Sequence, residues 1–367
     1  MSLLGFEGFD ENSSGFPDEL LGSGINSSSA LGYWYATGAV SKHAGQLGGS
    51  ALGVSTSGNY YCFYNNNYTR LIAGIRFRTP SAPHDMDVFY FGDGSPSSPG
   101  SSVHQCGFSI GTSKQLYAWG GTRGSTVSVG PAGAVLAFGS TTLSASTWYY
   151  FEFDVTFGAS GSVSARINGS GTEFSATGVD TAQGGVHNYC NMHGITSYVD
   201  AVNQGAIGWY DDWYVLDPTT GSTPFTGMLG VCRVETLFPT SNDNVTWTPN
   251  ASTNVSRIQE TSVDGDTTYN SKGTSGQDTF SCGSLTSSPT QIFAVAARAV
   301  VRKDNVPPIF SQTTLQSGAI LSQGVSFPQG STYQATRDFH FTDPNTNAPW
   351  TVAAVNAVKV GYNRVTP

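Results

Sequence analysis

Two acidic residues two positions apart can place a pair of carboxyl groups over one sugar bond. In the segment FEFDVTF, Glu152 and Asp154 alternate with apolar residues. Alternate side chains of an extended strand point to the same face of a sheet. Glycoside hydrolysis uses two such groups, one as the acid and the other as the base or nucleophile. The spacing therefore makes acid–base chemistry by two carboxyl groups the first chemistry to consider.

The same alternation adds two aromatic rings to that face. Trp148 and Tyr150 precede the two acids at spacings of two, and flat rings offer apolar faces on which sugar rings can stack. Aromatic residues of β-rich proteins are also common packing residues, which is the competing interpretation. We predict a candidate glycan-facing set that favours sugar binding over cleavage. It consists of Trp148, Tyr150, Glu152 and Asp154.

A second acidic pair stands in GWYDDWYVLD. The pleat of a regular strand sends Asp211 and Asp212 to opposite faces, so they cannot act on one bond or one ion unless a bulge breaks the alternation. A buried aspartate here is expected to accept hydrogen bonds from loop amides or to pair with an arginine. We interpret the pair as a mark of the fold, with at most one of the two helping to hold a structural ion.

Metal-ligand patterns are sparse. HNYCNMH places His187, Cys190 and His193 three apart in what we expect to be a loop, without a fourth ligand. The pairs Asp85-x-Asp87 and Asp264-x-Asp266 resemble parts of calcium loops but lack the later Gly and Glu of an EF-hand. We predict no catalytic residues, no metal and no cofactor, with calcium as the alternative. The five cysteines show no CxxC pair and are expected as reduced thiols, with a disulfide formed after cell lysis as the alternative.

These residues are distributed over a chain of short strands. Charged residues make up 11% of the 367, and 45 glycines accompany many Ser, Thr and Asn, which is typical of strands joined by polar turns. In LIAGIRFRT the residues Leu71, Ala73, Ile75 and Phe77 form one apolar face, as do Tyr149, Phe151, Phe153, Val155 and Phe157 in TWYYFEFDVTFG. We predict a two-sheet sandwich or jelly roll. Its strands are expected at 50–55, 71–79, 87–94, 106–111, 115–121, 147–158, 162–169 and 208–217.

The sequence changes character after DPTTGSTPFTG, and we place a domain boundary near Met228. Residues 1–228 form the first domain in this prediction, and 229–367 form a smaller β-rich domain. Its strands are expected near Val231 to Leu237, Ile292 to Lys303, Ser311 to Gln316 and Tyr333 to Phe341. One short helix is expected from Ala348 to Ala357, with Asn347 as its cap.

Charge and hydropathy exclude several classes of function. The net charge is −9, and the 16 Lys and Arg are scattered without a basic stripe, so we expect no nucleic-acid partner. No segment approaches 18 consecutive apolar residues, and the first residues do not resemble a signal peptide, so we expect no membrane partner and synthesis in a cytoplasm. A polar Ser/Thr/Tyr-rich surface is nevertheless typical of proteins that face the outside. A virion component assembled in the host cytoplasm satisfies both conditions.

The opening GFEGFD and the late strand GWYDDWYVLD resemble the concanavalin A-like lectin/glucanase (laminin-G-like) sandwich found in many bacteriophage structural proteins. This resemblance implies an all-β, two-sheet jelly-roll sandwich whose late strand packs beside the first. Glucanases of this class carry Glu-x-Asp-x-Glu on one strand of the concave sheet. Thr156 stands where the second glutamate belongs, so the resemblance implies a loss of this hydrolytic site.

The rest of the chain resembles a C-terminal module of tailed-phage virion proteins. The matching segments are LGVCRVETLFPTS, VDGDTTYNSKGTSGQDTF, AVAARAVVRKDN and FTDPNTNAPWTVAAVNAVKVGYN. Cys232 departs from the pattern, which has a charged residue before the arginine. The residues that match are Gly230, Arg233, Glu235, Leu237, Phe238, Pro239, Asp264, Asp266, Tyr269, Arg302, Lys303, Asp304, Asp343, Pro344, Trp350, Ala354, Val355 and Asn356.

Together the two resemblances imply a location more than a reaction. We expect a non-enzymatic structural protein of a phage particle, on the tail, baseplate, fibre or capsid surface, that forms a homo-oligomer. Its expected partners are other virion proteins and, through the sandwich, a host-surface glycan. Two alternatives stay open: a tail-associated glycan depolymerase, and a capsid decoration (cement) protein.

Overall fold

The computed structural model divides the chain into two compact units. The first extends to Val234 and the second begins at Glu235. The residues described are 2–9, 31–37, 40–54, 59–81, 86–94, 103–121, 134–182, 187–196, 208–219, 225, 227–260, 264–304 and 308–365.

The first unit consists of fifteen strands among the residues described. The predicted strands are all present, and seven more accompany them at β1, β2, β3, β5, β10, β13 and β14. The bounds are β1 (Ser2–Glu7), β2 (Leu31–Thr37), β3 (Val40–Ala44), β4 (Ser50–Val54), β5 (Asn59–Tyr68), β6 (Arg70–Arg78), β7 (Met86–Asp93), β8 (Val103–Ile110), β9 (Gln115–Gly120), β10 (Ala134–Thr142), β11 (Trp148–Thr156), β12 (Gly161–Ile167), β13 (Thr172–Val179), β14 (Cys190–Thr196) and β15 (Gly208–Asp217).

These strands form the two antiparallel sheets of a jelly-roll sandwich, which confirms the predicted fold class. The eight-stranded sheet has the order β13-β12-β11-β6-β15-β4-β3, with β1 beside β15. The seven-stranded sheet has the order β10-β9-β8-β7-β14-β5-β2. The first strand therefore packs beside the late GWYDDWYVLD strand, as the resemblance implies.

Aromatic rings from both sheets meet in the core between them. Phe108 of the seven-stranded sheet stacks on Phe153 of the eight-stranded sheet, with ring centroids 3.9 Å apart. Phe77 and Phe151 extend this layer at 5.9 Å. Each fully buried phenylalanine of this kind contributes about 2 kcal/mol of hydrophobic free energy. The predicted apolar face of β6 and β11 is thus the inner face, and their polar face lies outside.

The second unit is smaller and is also built from strands, with one α-helix among the residues described. Its elements are β16 (Pro239–Asn244), β17 (Thr248–Pro249), β18 (Asn270–Ser271), β19 (Gly276–Cys282), β20 (Val295–Val301), β21 (Phe310–Ser317), β22 (Ile320–Gln323), β23 (Phe327–Pro328), β24 (Gln334–His340), α1 (Val352–Asn356) and β25 (Lys359–Val365), with a 3₁₀ turn at Val255–Arg257.

The main sheet of this unit has the order β16-β19-β25-β21-β22, with β23 also beside β21, and β20 pairs separately with β24. The helix packs into a core that Trp350, Val355 and Leu315 share. Trp350 is fixed there because its indole N–H donates to the carbonyl of His340 at 2.8 Å.

Two local predictions for this part of the chain are wrong. Val231 to Leu237 forms no strand. The Val234 N–H donates to the Asp212 side chain and the Cys232 carbonyl accepts from the Arg76 side chain, so neither group joins a strand ladder. The helix is capped by Thr351, whose hydroxyl accepts from the Ala354 N–H at 3.1 Å. Asn347 instead has a left-handed backbone (φ 53°) in the preceding turn.

Among the residues described, no helix has both the length and the apolar character that a membrane span requires. Cys62, Cys106 and Cys190 are buried, while Cys232 and Cys282 are half-buried.

Candidate functional site on the outer face of the sandwich

The four predicted glycan-facing residues do share the outer face of β11. Trp148, Tyr150, Glu152 and Asp154 alternate with Phe151 and Phe153, whose rings point into the core. Their surroundings differ greatly, however. Trp148 and Asp154 are half-buried, whereas Tyr150 and Glu152 have no exposed surface. Contact of the set with a glycan stays a prediction, and in this arrangement only Trp148 and Asp154 are open to it.

A six-residue segment, Leu229–Val234, covers Tyr150 and Glu152, and we call it the strap. The Gly230 N–H donates to Glu152 Oε1 at 2.8 Å, and the Tyr214 hydroxyl donates to the same oxygen at 2.7 Å. The Leu229 N–H in turn donates to the Tyr214 hydroxyl oxygen at 3.1 Å. Burial of the carboxylate is therefore compensated at one of its two oxygens.

Asp154 is occupied by a different partner. Both of its oxygens accept from Arg70, at 2.9 Å from Nε and 2.6 Å from Nη2, in a bidentate pair. Burial is partial for both side chains. Glu152 is covered and Asp154 is neutralised, so the face offers no open pair of carboxyl groups to a glycosidic bond.

The aspartate pair in β15 departs from the predicted geometry because a β-bulge interrupts the strand. Asp211 stands opposite Arg76 and Tyr214 stands opposite Gly74, so Asp212 and Trp213 together face one residue of β6. Asp212 adopts a left-handed backbone with φ 46°. Both carboxylates consequently reach the outer face, and the prediction that they point in opposite directions is wrong.

Asp212 forms the buried ion pair of this face. Its Oδ2 lies 2.5 Å from Arg76 Nε, and its Oδ1 accepts from the Val234 N–H at 2.8 Å. Both charged side chains are at least nine-tenths buried. Pairing with an arginine and with a loop amide is what the sequence predicts for a buried aspartate here.

Arg76 donates to two further acceptors. Nη1 donates to Gln46 Oε1 at 2.6 Å, and Nη2 donates to the Cys232 carbonyl at 3.1 Å. Burial raises the pKa of Asp212, and the Arg76 guanidinium opposes that rise. The middle of the outer face is thus a polar network closed by the strap and by the loop that carries Gln46.

Next to this network, one row of side chains remains accessible. Trp148, Arg78 and Trp209 stand directly opposite one another on β11, β6 and β15, so their side chains share the outer face. The two indole rings are 6.4 Å apart, and the Arg78 guanidinium lies 4.2 Å from the Trp209 ring centroid.

His43 joins this row from the other side of β15. Its ring stacks on Trp209 with centroids 4.4 Å apart and an interplanar angle of 13°. The stacking crosses β4 at Gly53, which pairs with Trp209 and has no side chain to obstruct it. We call Trp148, Arg78, Trp209 and His43 the tryptophan row. All four are half-buried.

The surroundings of His43 favour its neutral form. Burial, followed by the positive charge of Arg78, lowers the pKa of His43 below its usual value of 6.5. The imidazole is therefore neutral at pH 7, beside a cation.

The sequence predicts only Trp148 of this row as a site residue. His43 lies 166 residues before Trp209, in a strand that the sequence does not predict. To predict this row one would need the register between neighbouring strands, which a single sequence does not supply.

On the seven-stranded sheet, aromatic rings lie flat over glycines. A Cβ at Gly107 would stand 2.1 Å from the Trp119 ring, and one at Gly194 would stand 2.2 Å from the Tyr90 ring. Trp119, Gly107, Tyr90 and Gly194 form one continuous row across four strands. Both aromatic rings are buried, so this row supports packing.

The aspartates of the two candidate calcium pairs that the structure describes bond to other protein groups. Asp87 accepts from the Ser109 hydroxyl at 2.6 Å, and Asp85 lies outside the residues described. Asp264 accepts from Thr268 within its own turn at 3.0 Å. Asp266 pairs with Arg302 at 2.7 Å.

HNYCNMH lies partly in β14 rather than in the predicted loop, and His193 points into the core, where it stacks on Trp213 at 4.8 Å. In the portion of the chain described, no group of three or more His, Cys, Asp or Glu is placed to hold a metal ion.

Residues of the C-terminal motif make contacts inside their own unit. Glu235 accepts from the Ser287 hydroxyl at 2.8 Å, and Asn356 accepts from the Leu285 N–H at 2.8 Å. Arg302 contacts Asp266 and Asp304 and lies over the Tyr333 ring. These motif residues hold turns and loops in place.

No protein-family model matches the sequence, and no curated protein sequence matches it. Solved structures similar to the chain include an endo-β-1,4-glucuronan lyase from Trichoderma reesei, at 14% identity and a TM-score of 0.38, covering 58% of this chain and 95% of that one. An alginate lyase from Chlorella virus has 8% identity, a TM-score of 0.33 and coverages of 50% and 93%. A carbohydrate esterase from the Shiga toxin-encoding bacteriophage phi24B has 15% identity, a TM-score of 0.33 and coverages of 50% and 88%.

These similarities concern the fold, which is consistent with the lectin/glucanase-like sandwich implied by the sequence. They also correct one prediction. The protein was expected not to be an enzyme, but the solved structures that share its sandwich are two polysaccharide lyases and a carbohydrate esterase.

Proposed function

We propose that the protein is a polysaccharide depolymerase that acts on an anionic glycan at the tryptophan row. The observation that carries the proposal is the double contact of Trp209. Its ring holds the Arg78 cation at 4.2 Å and the neutral His43 ring at 4.4 Å on an accessible face. Trp148 adds a second ring on which a sugar can stack.

These residue types suit elimination better than hydrolysis. A carboxylated sugar would pair with the Arg78 guanidinium, which stabilises negative charge that develops when a proton leaves the neighbouring carbon. The neutral His43 would take that proton. The electron pair then forms a C=C bond while the glycosidic C–O bond breaks, and water supplies a proton to the departing oxygen.

Hydrolysis by two carboxyl groups receives no support from this face. The strap covers Glu152, and Arg70 holds Asp154. A glycosidase needs both carboxyl groups open to the bond and to water. The proposed depolymerase therefore cleaves by elimination, as a lyase, rather than by hydrolysis.

The test uses the full chain and a panel of polymers: polyuronates such as alginate and polyglucuronate, and neutral glucans as controls. We expect ultraviolet absorbance from unsaturated uronic acid ends with at least one polyuronate and none with the glucans. His43→Gln is expected to abolish product while leaving binding, and Trp148→Ala to weaken binding. Binding without product would contradict the elimination chemistry, and absence of binding to every anionic polymer would contradict the proposal as a whole.

The setting of this activity is a further part of the proposal. The C-terminal motif supports a protein carried on a phage tail as a homo-oligomer, in contact with other virion proteins. Quantitative mass spectrometry of purified particles tests this. Copy numbers of a handful to a few dozen per particle fit a tail, hundreds would point to capsid decoration, and absence from particles would contradict the virion setting.

A further inference from the structure

The strap adheres to the outer face mainly through its backbone. Its N–H groups at Gly230 and Val234 donate to Glu152 and Asp212, and its Cys232 carbonyl accepts from Arg76. The side chain of Val231 is 52% exposed. The groups beneath the strap are thus two carboxylate acceptors and one guanidinium donor, which is a pattern that hydroxyl groups can also satisfy.

Glu152 carries an unused acceptor at this place. Its Oε1 accepts two hydrogen bonds, but its Oε2 is buried and has no hydrogen-bond partner within the described residues. A buried polar atom without a partner costs free energy and calls for a structural or functional reason. The strap therefore matches this surface incompletely.

The covered surface continues directly from the tryptophan row. On β11, Trp148 is followed on the same face by Tyr150 and Glu152, and on β6, Arg78 is preceded by Arg76. Same-face neighbours on a strand are about 7 Å apart. A chain molecule seated on the row would meet the strap at its next unit.

We propose that the surface beneath the strap is a second sugar subsite, which the strap occupies as a stand-in ligand. It would take a hydroxyl-rich, uncharged sugar unit, because two carboxylates repel an anionic one. Sugar hydroxyls donate to Glu152 Oε1 and Asp212 Oδ1 in place of the strap N–H groups, and a further hydroxyl donates to Glu152 Oε2. A sugar oxygen accepts from Arg76 in place of the Cys232 carbonyl. The strap lifts when a sufficiently long glycan binds.

This inference rests on glycan binding at the tryptophan row, and it predicts a dependence on ligand length. The probes are oligosaccharides in which a uronic acid alternates with a neutral sugar. Disaccharides of this kind occupy the row alone, whereas longer oligosaccharides also place a neutral unit beneath the strap and displace it. Glu152→Gln keeps the shape of the side chain and removes a charged acceptor. It is expected to weaken binding of long oligosaccharides about tenfold and to leave short ones unchanged. Glu173→Gln is the matched control, because it makes the same substitution at a carboxylate of β13 that accepts from the Ser140 and Thr141 N–H groups, and both lengths should bind it as they bind the wild type.

Two measurements on the unmodified protein follow the strap itself. Long oligosaccharides should speed hydrogen exchange at the Gly230 and Val234 amides, and should speed maleimide labelling of Cys232. Short ones should change neither. These readouts decide the question even if Glu152→Gln fails to fold.

The outcomes separate this inference from the proposed function. If binding depends on Trp148 but long and short oligosaccharides respond alike to Glu152→Gln and the strap readouts stay constant, the subsite is refuted and the function stands. If no anionic or mixed oligosaccharide binds at all, both are refuted. Two results together establish the subsite. Long oligosaccharides speed hydrogen exchange of the strap amides, and Glu152→Gln weakens the binding of long oligosaccharides alone.

Discussion

Asp212 reaches Arg76 because its own backbone is left-handed. The bulge in β15 turns the Asp212 carboxylate onto the outer face, where it lies 2.5 Å from Arg76 Nε. A non-glycine residue in this conformation costs roughly 1 kcal/mol, and the ion pair with its amide bond offsets that cost. The aspartate and the arginine thereby tie β15 to β6 at the point where the ladder is interrupted.

Replacing Asp212 should therefore be much more damaging than removing an exposed acid. Asp212→Ala leaves Arg76 buried without its counter-ion, which we expect to cost about 3–5 kcal/mol of unfolding free energy. Asp154→Ala removes a partly solvated partner of Arg70 and should cost about 1 kcal/mol or less. Denaturant unfolding of both variants, followed through tryptophan fluorescence, measures the difference. Equal losses would contradict the buried pair.

Gly74 is predicted to be intolerant of any side chain. A Cβ there would lie 2.1 Å from the Tyr214 ring, whose hydroxyl donates to Glu152. Gly74→Ala should cost about 1–3 kcal/mol through overpacking. Gly171→Ala, where no atom lies within 4 Å of the added carbon, is the control. A fully stable Gly74→Ala protein would show that Tyr214 does not lie flat on the sheet.

The charge of Arg78 should be visible in the titration of His43. Burial and Arg78 together lower the pKa of His43, so the imidazole becomes protonated only below its usual range. Arg78→Gln removes the cation, and the His43 pKa should rise toward 6.5, which moves the loss of the neutral form to higher pH. NMR titration of the ring protons measures this without relying on activity. Trp148→Ala is the control and should leave the His43 pKa unaltered. An unchanged His43 pKa in Arg78→Gln would argue against the proximity of Arg78 and His43.

Thr351 should matter to the second unit as a helix cap. Thr351→Ala removes the acceptor for the Ala354 N–H and is expected to cost about 1 kcal/mol. Thr351→Ser keeps a hydroxyl at the same place and should restore most of the stability. Thermal unfolding of the two variants tests this, and equal melting temperatures would assign no role to the cap.

The five cysteines should differ in their rate of maleimide labelling according to their burial. Burial raises the pKa of all five thiols, to about 11 for Cys282 and about 12 for Cys232. Maleimide at pH 8 should therefore modify the native protein slowly, and Cys232 and Cys282 before Cys62, Cys106 and Cys190. Peptide mass spectrometry after timed labelling gives the order. Early modification of Cys106 would contradict its position in the core.

Patterned segments made the fold class predictable, whereas other strands gave no such signal. The apolar alternation in β6 and β11 predicts both the sandwich and the inward face. In β5, NYYCFYNNNY, tyrosines and asparagines hide the alternation, and in β14 the segment CNMHGIT reads as loop because of its polar residues. Pairing with neighbouring strands stabilises these segments as strands, and a short stretch of sequence does not show which strands are neighbours.

The candidate site was predictable only in part, for a related reason. The shared face of Trp148, Tyr150, Glu152 and Asp154 follows from a period of two. The cover over Tyr150 and Glu152 depends on Gly230, about 80 residues later, and the bulge depends on a single left-handed residue. Long-range backbone contacts of this kind leave no periodic trace in the sequence.

The covalent order of the chain gives the strap a mechanical consequence. Glu235 opens the second unit directly after Val234, whose N–H is bonded to Asp212. Lifting the strap must break that hydrogen bond, at the residue where the first unit ends. A glycan that displaced the strap would therefore also free the backbone that leads into the second unit.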